Sequence, residues 1–344
     1  MRFDNVVIES LAYSLPDEVV SSAVIEDRLK PLYERLKLPE GRLELMTGIE
    51  SRRFWSRPIK PSEASTEAAK KALEESQFGA EDIDLLIHAA VSRDCLEPAT
   101  AAYVHRALGL SEDAQFLDVS NACLGFLNAM VLGSSMIEKG HARAVLIVAG
   151  EDGKPLVEKT IKELLASSLT RKEIKSYFAN LTIGAGAVAM VLSREDFVEK
   201  PAPKLLAATL KTDTASCELC EGGSAEGGGL EMQTDSEKLL HAGLALAEKN
   251  WTAFKKETGW AQDTPNCVIS HQVGSRHQTL LFERLGLSLK LDYSTFSFLG
   301  NVGPVSVPIT LAFAFESGAI HAGDSVALLG IGSGLSSIML ALEW

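Results

Sequence analysis

Cys123 lies in the stretch Asp118-Val-Ser-Asn-Ala-Cys-Leu-Gly-Phe-Leu-Asn-Ala-Met-Val131, where a strand ending at Asp118 gives way to an apolar segment reaching about Lys139. Ser120 and Asn121 can cap a helix formed by that segment, and only Asn128, Ser134 and Ser135 interrupt the apolar run before its charged end. A helix that is hydrophobic all round belongs in the interior of a large protein. A cysteine at its first turn feels the positive end of the helix dipole, which favours thiolate over thiol and makes a nucleophile. Packing by a small buried cysteine explains this stretch, taken alone, equally well. Cys217-Glu-Leu-Cys220 has the spacing of a zinc or redox pair, but no second pair accompanies it, so no metal is expected. Gly330-Ile-Gly-Ser-Gly334 suggests a dinucleotide loop, yet the spacing is incomplete and too little chain remains for a βαβ unit.

The elements around these residues alternate between strands and helices. A strand is expected over Val6–Ala12, a charged and helical region over 25–60, and a capped amphipathic helix from Ser62 to Glu75. The region 25–60 closes on Ser51-Arg-Arg-Phe-Trp-Ser-Arg57, which is assigned to solvent or an interface rather than to a nucleotide-bearing ligand. Ile83–Val91 reads as a buried strand, followed by a loop from Ser92 to Leu96 and a helix beginning at Glu97-Pro98. Ala144–Ala149 and Ala187–Leu192 are further strands, with a charged, helical insertion over 151–180.

The second half repeats the first. Ser236–Lys255 answers 62–75, Asn266–Ser270 answers the strand before Val91, and Leu285-Gly-Leu287 answers Leu108-Gly-Leu110. Val305–Gly318 and Asp324–Leu329 answer the Cys123 helix and the strand after it. Two copies of a β/α unit mean duplication rather than a solenoid, and the alternation implies largely parallel sheets covered by helices. Functional groups would collect at the carboxyl ends of the strands, where the halves meet. The boundary is set at 1–195 for the half with the cysteine and 196–344 for the other.

Bulk properties narrow the function. The chain has 344 residues, 46% of them apolar, and a formal charge of -13. Without a basic run it is not expected to bind nucleic acid. Met1-Arg-Phe-Asp-Asn-Val lacks a signal-peptide core, and no stretch approaches a membrane span. With five cysteines, an odd number, a reducing cytoplasm is the simplest location.

Asn121-Ala-Cys-Leu-Gly-Phe126, Ser270-His-Gln-Val273, Gly300-Asn-Val-Gly-Pro304 and Gly330-Ile-Gly-Ser-Gly334, in this order on a duplicated β/α pattern, resemble the thiolase-superfamily condensing enzymes of the ketoacyl synthase III type. The resemblance implies an α/β, thiolase-like five-layer αβαβα fold from two duplicated halves, an obligate homodimer, CoA thioesters as substrates and no cofactor. It makes Cys123 the acylated nucleophile and His271 with Asn301 the pair that binds the second thioester's oxygen. The backbone N–H groups of Cys123 and Gly332 become the oxyanion hole. A thiolate attacks a thioester readily, and the oxyanion formed needs preorganised donors worth roughly 3–4 kcal/mol each. From the residues alone, His271 also fits a satisfied core histidine and Asn301 a tight turn. His88, His105 and His277 carry no motif and read as structural.

Glu97 chooses between subfamilies. A decarboxylating synthase that extends with malonyl carrier protein needs no base, and a carboxylate there would repel the malonate. Joining two ordinary acyl thioesters requires removal of an α-proton by a positioned base. Leu96-Glu-Pro-Ala-Thr100, with the motifs above, is most similar to the acyl-CoA head-to-head condensing enzymes of bacterial long-chain olefin biosynthesis, whose glutamate reaches the partner subunit's site. That resemblance implies non-decarboxylative Claisen condensation of two fatty acyl-CoA molecules to a β-keto acid, consumed by downstream lipid-pathway enzymes. The alternatives are a malonyl-using starter enzyme, a non-catalytic partner subunit, and an acidic first-turn role for Glu97 before Pro98. The insertion 151–180 and the Gly-rich loop 221–229 could reshape chain-length choice.

Overall fold

The computed structural model describes every residue except 225–229, together with the side chains of all described residues but Ser224 and Leu230. β1 (Val6–Ser14) and β2 (Glu18–Ser21) precede three short helices, α1 (Ser22–Arg28), α2 (Lys30–Leu36) and α3 (Arg42–Thr47). β3 (Ser51–Phe54) then pairs with β2, and α4 (Pro61–Glu75), β4 (Leu85–His88), α5 (Thr100–Leu108) and β5 (Gln115–Asp118) come next. The first half closes with α6 (Gly125–Glu138), β6 (Ala144–Asp152), α7 (Lys154–Ala166) and β7 (Ala185–Arg194). The second runs through β8 (Lys204–Thr212), the hairpin β9 (Cys220–Ser224) and β10 (Leu230–Thr234), and α8 (Ser236–Thr258). It ends with β11 (Cys267–Ser270), α9 (Ser275–Leu285), α10 (Phe296–Leu299), α11 (Ser306–Glu316), β12 (Ser325–Gly332) and β13 (Ser336–Glu343).

Nine strands lie in the order β11-β12-β13-β8-β1-β7-β6-β4-β5. The halves join where β1 meets β8 over the pair Val7 and Lys204. Only β4–β5, β4–β6 and β11–β12 are parallel; the other neighbours in this ladder are antiparallel. The largely parallel sheet expected from the alternation is thus replaced by a mixed one. Helical crossovers join β4 to β5, β5 to β6 and β11 to β12, whereas β12 turns straight back into β13, a connection that only an antiparallel pair allows.

Strand alternation builds the layers. Leu85 and Ile87 of β4, like Val326 and Leu328 of β12, enter a middle core with Leu124, Phe126 and Met130 at α6 and Ile309 and Leu311 of α11. Leu86 faces the opposite way onto Ala64 and Ala68 of α4 and Val104 of α5. Ala327 and Leu329 face Leu244, Trp251 and Phe254 of α8 and Phe282 of α9. Helices therefore lie outside, between and outside two sheet regions, which is the five-layer thiolase-like arrangement. The all-round apolar character of α6 and α11 is what permits burial between sheets on both sides.

The duplication is visible element by element, α4 with α8, β4 with β11, α5 with α9, α6 with α11 and β6 with β12. Gly109 and Gly286 end α5 and α9 in the same left-handed conformation. The counterpart of β5 has shrunk to a bridge between Val268 and Asp292.

Four local expectations change. Residues 25–60 are not one helical region, because Ser51–Phe54 is a strand. Arg52, expected at a surface, is fully buried and donates to Ser22 Oγ at 3.1 Å and to the Leu181 carbonyl at 3.1 Å. α4 lacks its own side-chain cap; Asp94 supplies one from outside by accepting from the Ser62 N–H and hydroxyl. The stretch from Glu221, expected as a loop, is paired strand up to Ser224; residues 225–229 of that expectation lie outside the described residues.

Candidate active site

Cys123 sits in the loop between β5 and α6, two residues before the first helical residue, Gly125. Ala122 holds a φ of 46°, a left-handed conformation uncommon for a residue with a side chain. Ser120 and Asn121 do not cap the helix; Asn121 Nδ2 instead donates to Asn128 Oδ1 at 2.8 Å, tying the loop to the helix's second turn. A Cβ on Gly125 would lie 2.7 Å from the Ala89 carbonyl oxygen, so glycine lets the head of α6 close onto the end of β4.

The end of β12 lies across this helix head. A Cβ on Gly330 would come within 2.5 Å of Leu124 Cδ2. One on Gly332 would stand 2.8 Å from Leu124 Cγ and 3.6 Å from the Cys123 nitrogen. The two glycines thus let a strand of the second half approach the Cys123 loop of the first. This explains the Gly-x-Gly spacing without any dinucleotide.

The thiolate expectation for Cys123 is reversed in the folded chain. Burial pushes the thiol up to about 12, and the neighbouring Cys220 and Glu151 add to that. Cys123 is therefore a neutral thiol, which could act as a nucleophile only on losing its proton.

His271 comes immediately after β11, its N–H bonded to the Leu329 carbonyl at 2.9 Å. Its side chain is buried, Nδ1 has no hydrogen-bond partner among the described residues, and burial pulls the imidazole down to about 3. The ring is therefore neutral at ordinary pH, with one N–H to donate and one nitrogen to accept. It is not a satisfied core histidine.

Asn301 is fastened between the halves. Its N–H donates to the Thr182 carbonyl and its own carbonyl accepts from Gly184 N–H, each at 2.9 Å. Its Oδ1 accepts from Gly303 N–H at 2.9 Å, which orients the amide and leaves Nδ2 with no acceptor among the described residues. Gly300 has a φ of 68°, and a Cβ there would meet the Thr182 oxygen at 2.6 Å. The tight turn and the free donor are two properties of one loop.

Glu97 is exposed, and no hydrogen bond or ion pair engages its carboxylate among the described residues. It is not a first-turn residue, since α5 starts at Thr100 and is capped by Asp118, which accepts from the N–H groups of Thr100 and Ala101 at 2.8 Å each. Leu96 beside it is 93% exposed.

Three further residues enter the neighbourhood. Glu151 is buried at the end of β6, and burial raises its carboxyl to about 7. His277, which read as structural, is close enough to His271 that a charge on one ring would disfavour a charge on the other, and burial lowers its own imidazole to about 4. Cys220 is half-buried, near Cys123, and in contact with Thr234 Oγ1 at 3.4 Å. Hydrophobic periodicity could have placed Glu151, as a charged residue ending an apolar strand. Nothing local marks His277, and the Cys217-x-x-Cys220 spacing points to a metal or redox pair rather than to this site. Among the described residues no group of three or more His, Cys, Asp or Glu could hold a metal ion, and no helix is long and apolar enough to cross a membrane.

Comparison with known proteins gives this arrangement relatives. Residues 117–214 match the 3-oxoacyl-[acyl-carrier-protein] synthase III family and residues 256–344 its C-terminal family. An acyl-CoA:acyl-CoA alkyltransferase of Xanthomonas campestris is 38% identical over 344 residues, covering 100% of both chains. One from Shewanella oneidensis is 36% identical, again covering 100% of both. A beta-ketoacyl-[acyl-carrier-protein] synthase III of Bacillus pumilus is 28% identical with 99% of each chain covered. The structure of cerulenin-bound Xanthomonas OleA superposes with a TM-score of 0.95, covering 100% of this chain and 98% of that one. Other structures of that protein carry a cysteine replaced by alanine, a glutamate replaced by glutamine and a histidine replaced by asparagine.

Proposed function

Because the chain belongs to the 3-oxoacyl-[acyl-carrier-protein] synthase III family of thiolase-like condensing enzymes, we propose that it joins two fatty acyl-CoA molecules head to head by a Claisen condensation. It is an acyltransferase. One observation carries the choice of reaction: the acyl-CoA:acyl-CoA alkyltransferases match at 36–38% identity over the whole chain, against 28% for the beta-ketoacyl-[acyl-carrier-protein] synthase III of Bacillus pumilus.

In this reading Cys123 attacks the first thioester, its sulfur forming the acyl bond as CoA leaves with a proton. The Cys123 and Gly332 N–H groups receive the oxyanion. A second acyl-CoA then binds with its thioester oxygen on neutral His271 and the free Asn301 Nδ2, and Glu97 removes an α-proton. The carbanion attacks the acyl-Cys123 carbonyl, the sulfur leaves, and the 2-alkyl-3-ketoacyl product can be hydrolysed to a β-keto acid. The altered glutamate and cysteine of the Xanthomonas protein stand at the same separation as Glu97 and Cys123, which supports this pairing.

Glu97 has no partner among the described residues of its own subunit, Leu96 beside it and Val91 at the start of its segment are exposed, and so is Phe116 on the edge strand β5. These features favour a homodimer in which Glu97 completes the partner's site. The substrates are CoA thioesters, no resident cofactor is invoked, and the cytoplasm is the proposed location.

The test is product analysis with purified protein and myristoyl-CoA alone. A long-chain β-keto acid, or the ketone from its decarboxylation, that disappears in Glu97→Gln supports the reading. Product formed only after malonyl carrier protein is added, with CO2 release and no sensitivity to Glu97, would transfer the chain to the decarboxylating class.

A further inference from the structure

The segment Val91–Ala99, which carries Glu97, is held by carboxylates at each end while Glu97 itself stays free. At its start the Glu151 carboxyl accepts from Val91 N–H at 2.6 Å and from Ser92 Oγ at 2.5 Å, with Ser92 N–H at 3.4 Å from the same oxygen as Val91. In its middle Asp94 is fixed to the head of α4 through Ser62, and the Asp94 N–H donates to Thr100 Oγ1 at 3.2 Å. At its end Asp118 holds Thr100 and Ala101. Asp94 and Asp118 serve helix starts, a common structural task. Glu151 serves none. It comes from β6, some 60 residues away in the chain, is 8% exposed, and turns both carboxyl oxygens toward the first two residues of this segment.

Burying a carboxyl is costly unless it is well bonded, so a fold that needed only an apolar strand end would not place one there. We propose that Glu151 is a positioning residue for Glu97: its hydrogen bonds to Val91 and Ser92 set the direction in which the Glu97 segment leaves the sheet. The inference rests on Glu97 being the α-proton base. A base displaced by about 1 Å loses roughly 10²-fold in rate. Glu151 therefore acts on condensation through the direction of the Glu97 segment, and its nearness to the Cys123 thiol is read separately by acylation.

The two half-reactions separate this role from a general loss of structure. Acylation is read by the mass of Cys123-acylated protein after mixing with myristoyl-CoA, and condensation by β-keto acid formation. Glu151→Gln is expected to lower condensation at least tenfold and acylation less than threefold. With α,α-dideuterated myristoyl-CoA, its isotope effect on condensation should exceed that of the unaltered protein. Glu97→Gln combined with Glu151→Gln should lose no more than Glu97→Gln alone, since two residues acting through one step are not additive. Should Glu151→Gln fold poorly, Ser92→Ala removes one of the same hydrogen bonds from the segment side, and the same comparisons apply to it. Equal losses in both half-reactions would place Glu151 on the Cys123 thiol and overturn the proposal, as would full condensation by Glu151→Gln beside an inactive Glu97→Gln. Full condensation by Glu97→Gln would instead overturn the base assignment, and this inference with it.

Discussion

Gly332, at the end of β12, lies so close to Cys123 that a methyl group on it would stand 3.6 Å from the Cys123 nitrogen and 2.8 Å from Leu124 Cγ. The backbone at Cys123 is therefore shaped by a residue of the other half. Gly332→Ala must push Leu124 and the head of α6 aside. At least a tenfold loss in Cys123 acylation is expected, from misplacement of donors worth roughly 3–4 kcal/mol each. Circular dichroism should remain native; unchanged acylation would remove Gly332 from the oxyanion hole.

Cys123→Ala should form no acyl-enzyme with myristoyl-CoA by intact mass and give no condensation product. Replacing a small, half-buried thiol by a methyl group should shift stability by only about 1 kcal/mol. An acylated Cys123→Ala protein would direct the search to Cys220, whose thiol is near.

Asn301 performs two tasks with two ends of one amide. Asn301→Asp keeps an oxygen for Gly303 N–H but removes the free Nδ2 donor. Condensation should fall about 10²-fold with Cys123 acylation largely kept, the loss expected for a missing oxyanion donor. A parallel fall in both steps would mean that the loop, rather than the donor, had been damaged.

Glu151 links stability to pH. Its carboxyl is raised by burial from 4.5 to about 7, so the folded chain holds a proton that the unfolded chain has released between these values. The group's contribution is fully present below pH 4.5 and lost as pH rises through 7, a change of about 3 kcal/mol. Glu151→Gln cannot ionise. Its stability relative to the unaltered protein should therefore improve between pH 5 and pH 8, as measured by urea midpoints. A difference independent of pH would show that the carboxyl does not titrate in this range.

Arg52 is a structural counterpart to the site. Its guanidinium joins Ser22 to Leu181, one residue before the Thr182 carbonyl that fixes Asn301. Burial lowers it to about 10, yet it remains charged at neutral pH. Arg52→Ala leaves buried acceptors unpaired and a cavity, so a loss of roughly 3 kcal/mol or more in urea unfolding is expected. A loss below 1 kcal/mol would mean that water replaces the side chain.

The sequence alone carried the duplicated β/α order, the burial of α6 and α11, and Cys123 at a strand–helix junction. Each is a matter of local periodicity, which neighbouring residues fix for themselves. It did not carry the charge of that cysteine. The helix-dipole argument counted residues along one segment, whereas the thiol responds to its burial among Leu124, β12 and the side chains of Glu151 and Cys220. Nor could it show that the start of the Glu97 segment hangs on Glu151, or that Asn301 is fastened to Thr182 and Gly184. Those contacts join residues far apart in the chain, and strand order in the sheet decides them. Local patterning determined which elements form and where a nucleophile could stand; the folding of one half against the other decided which groups surround it and in which protonation state, because burial and long-range hydrogen bonds exist only once both halves have packed together.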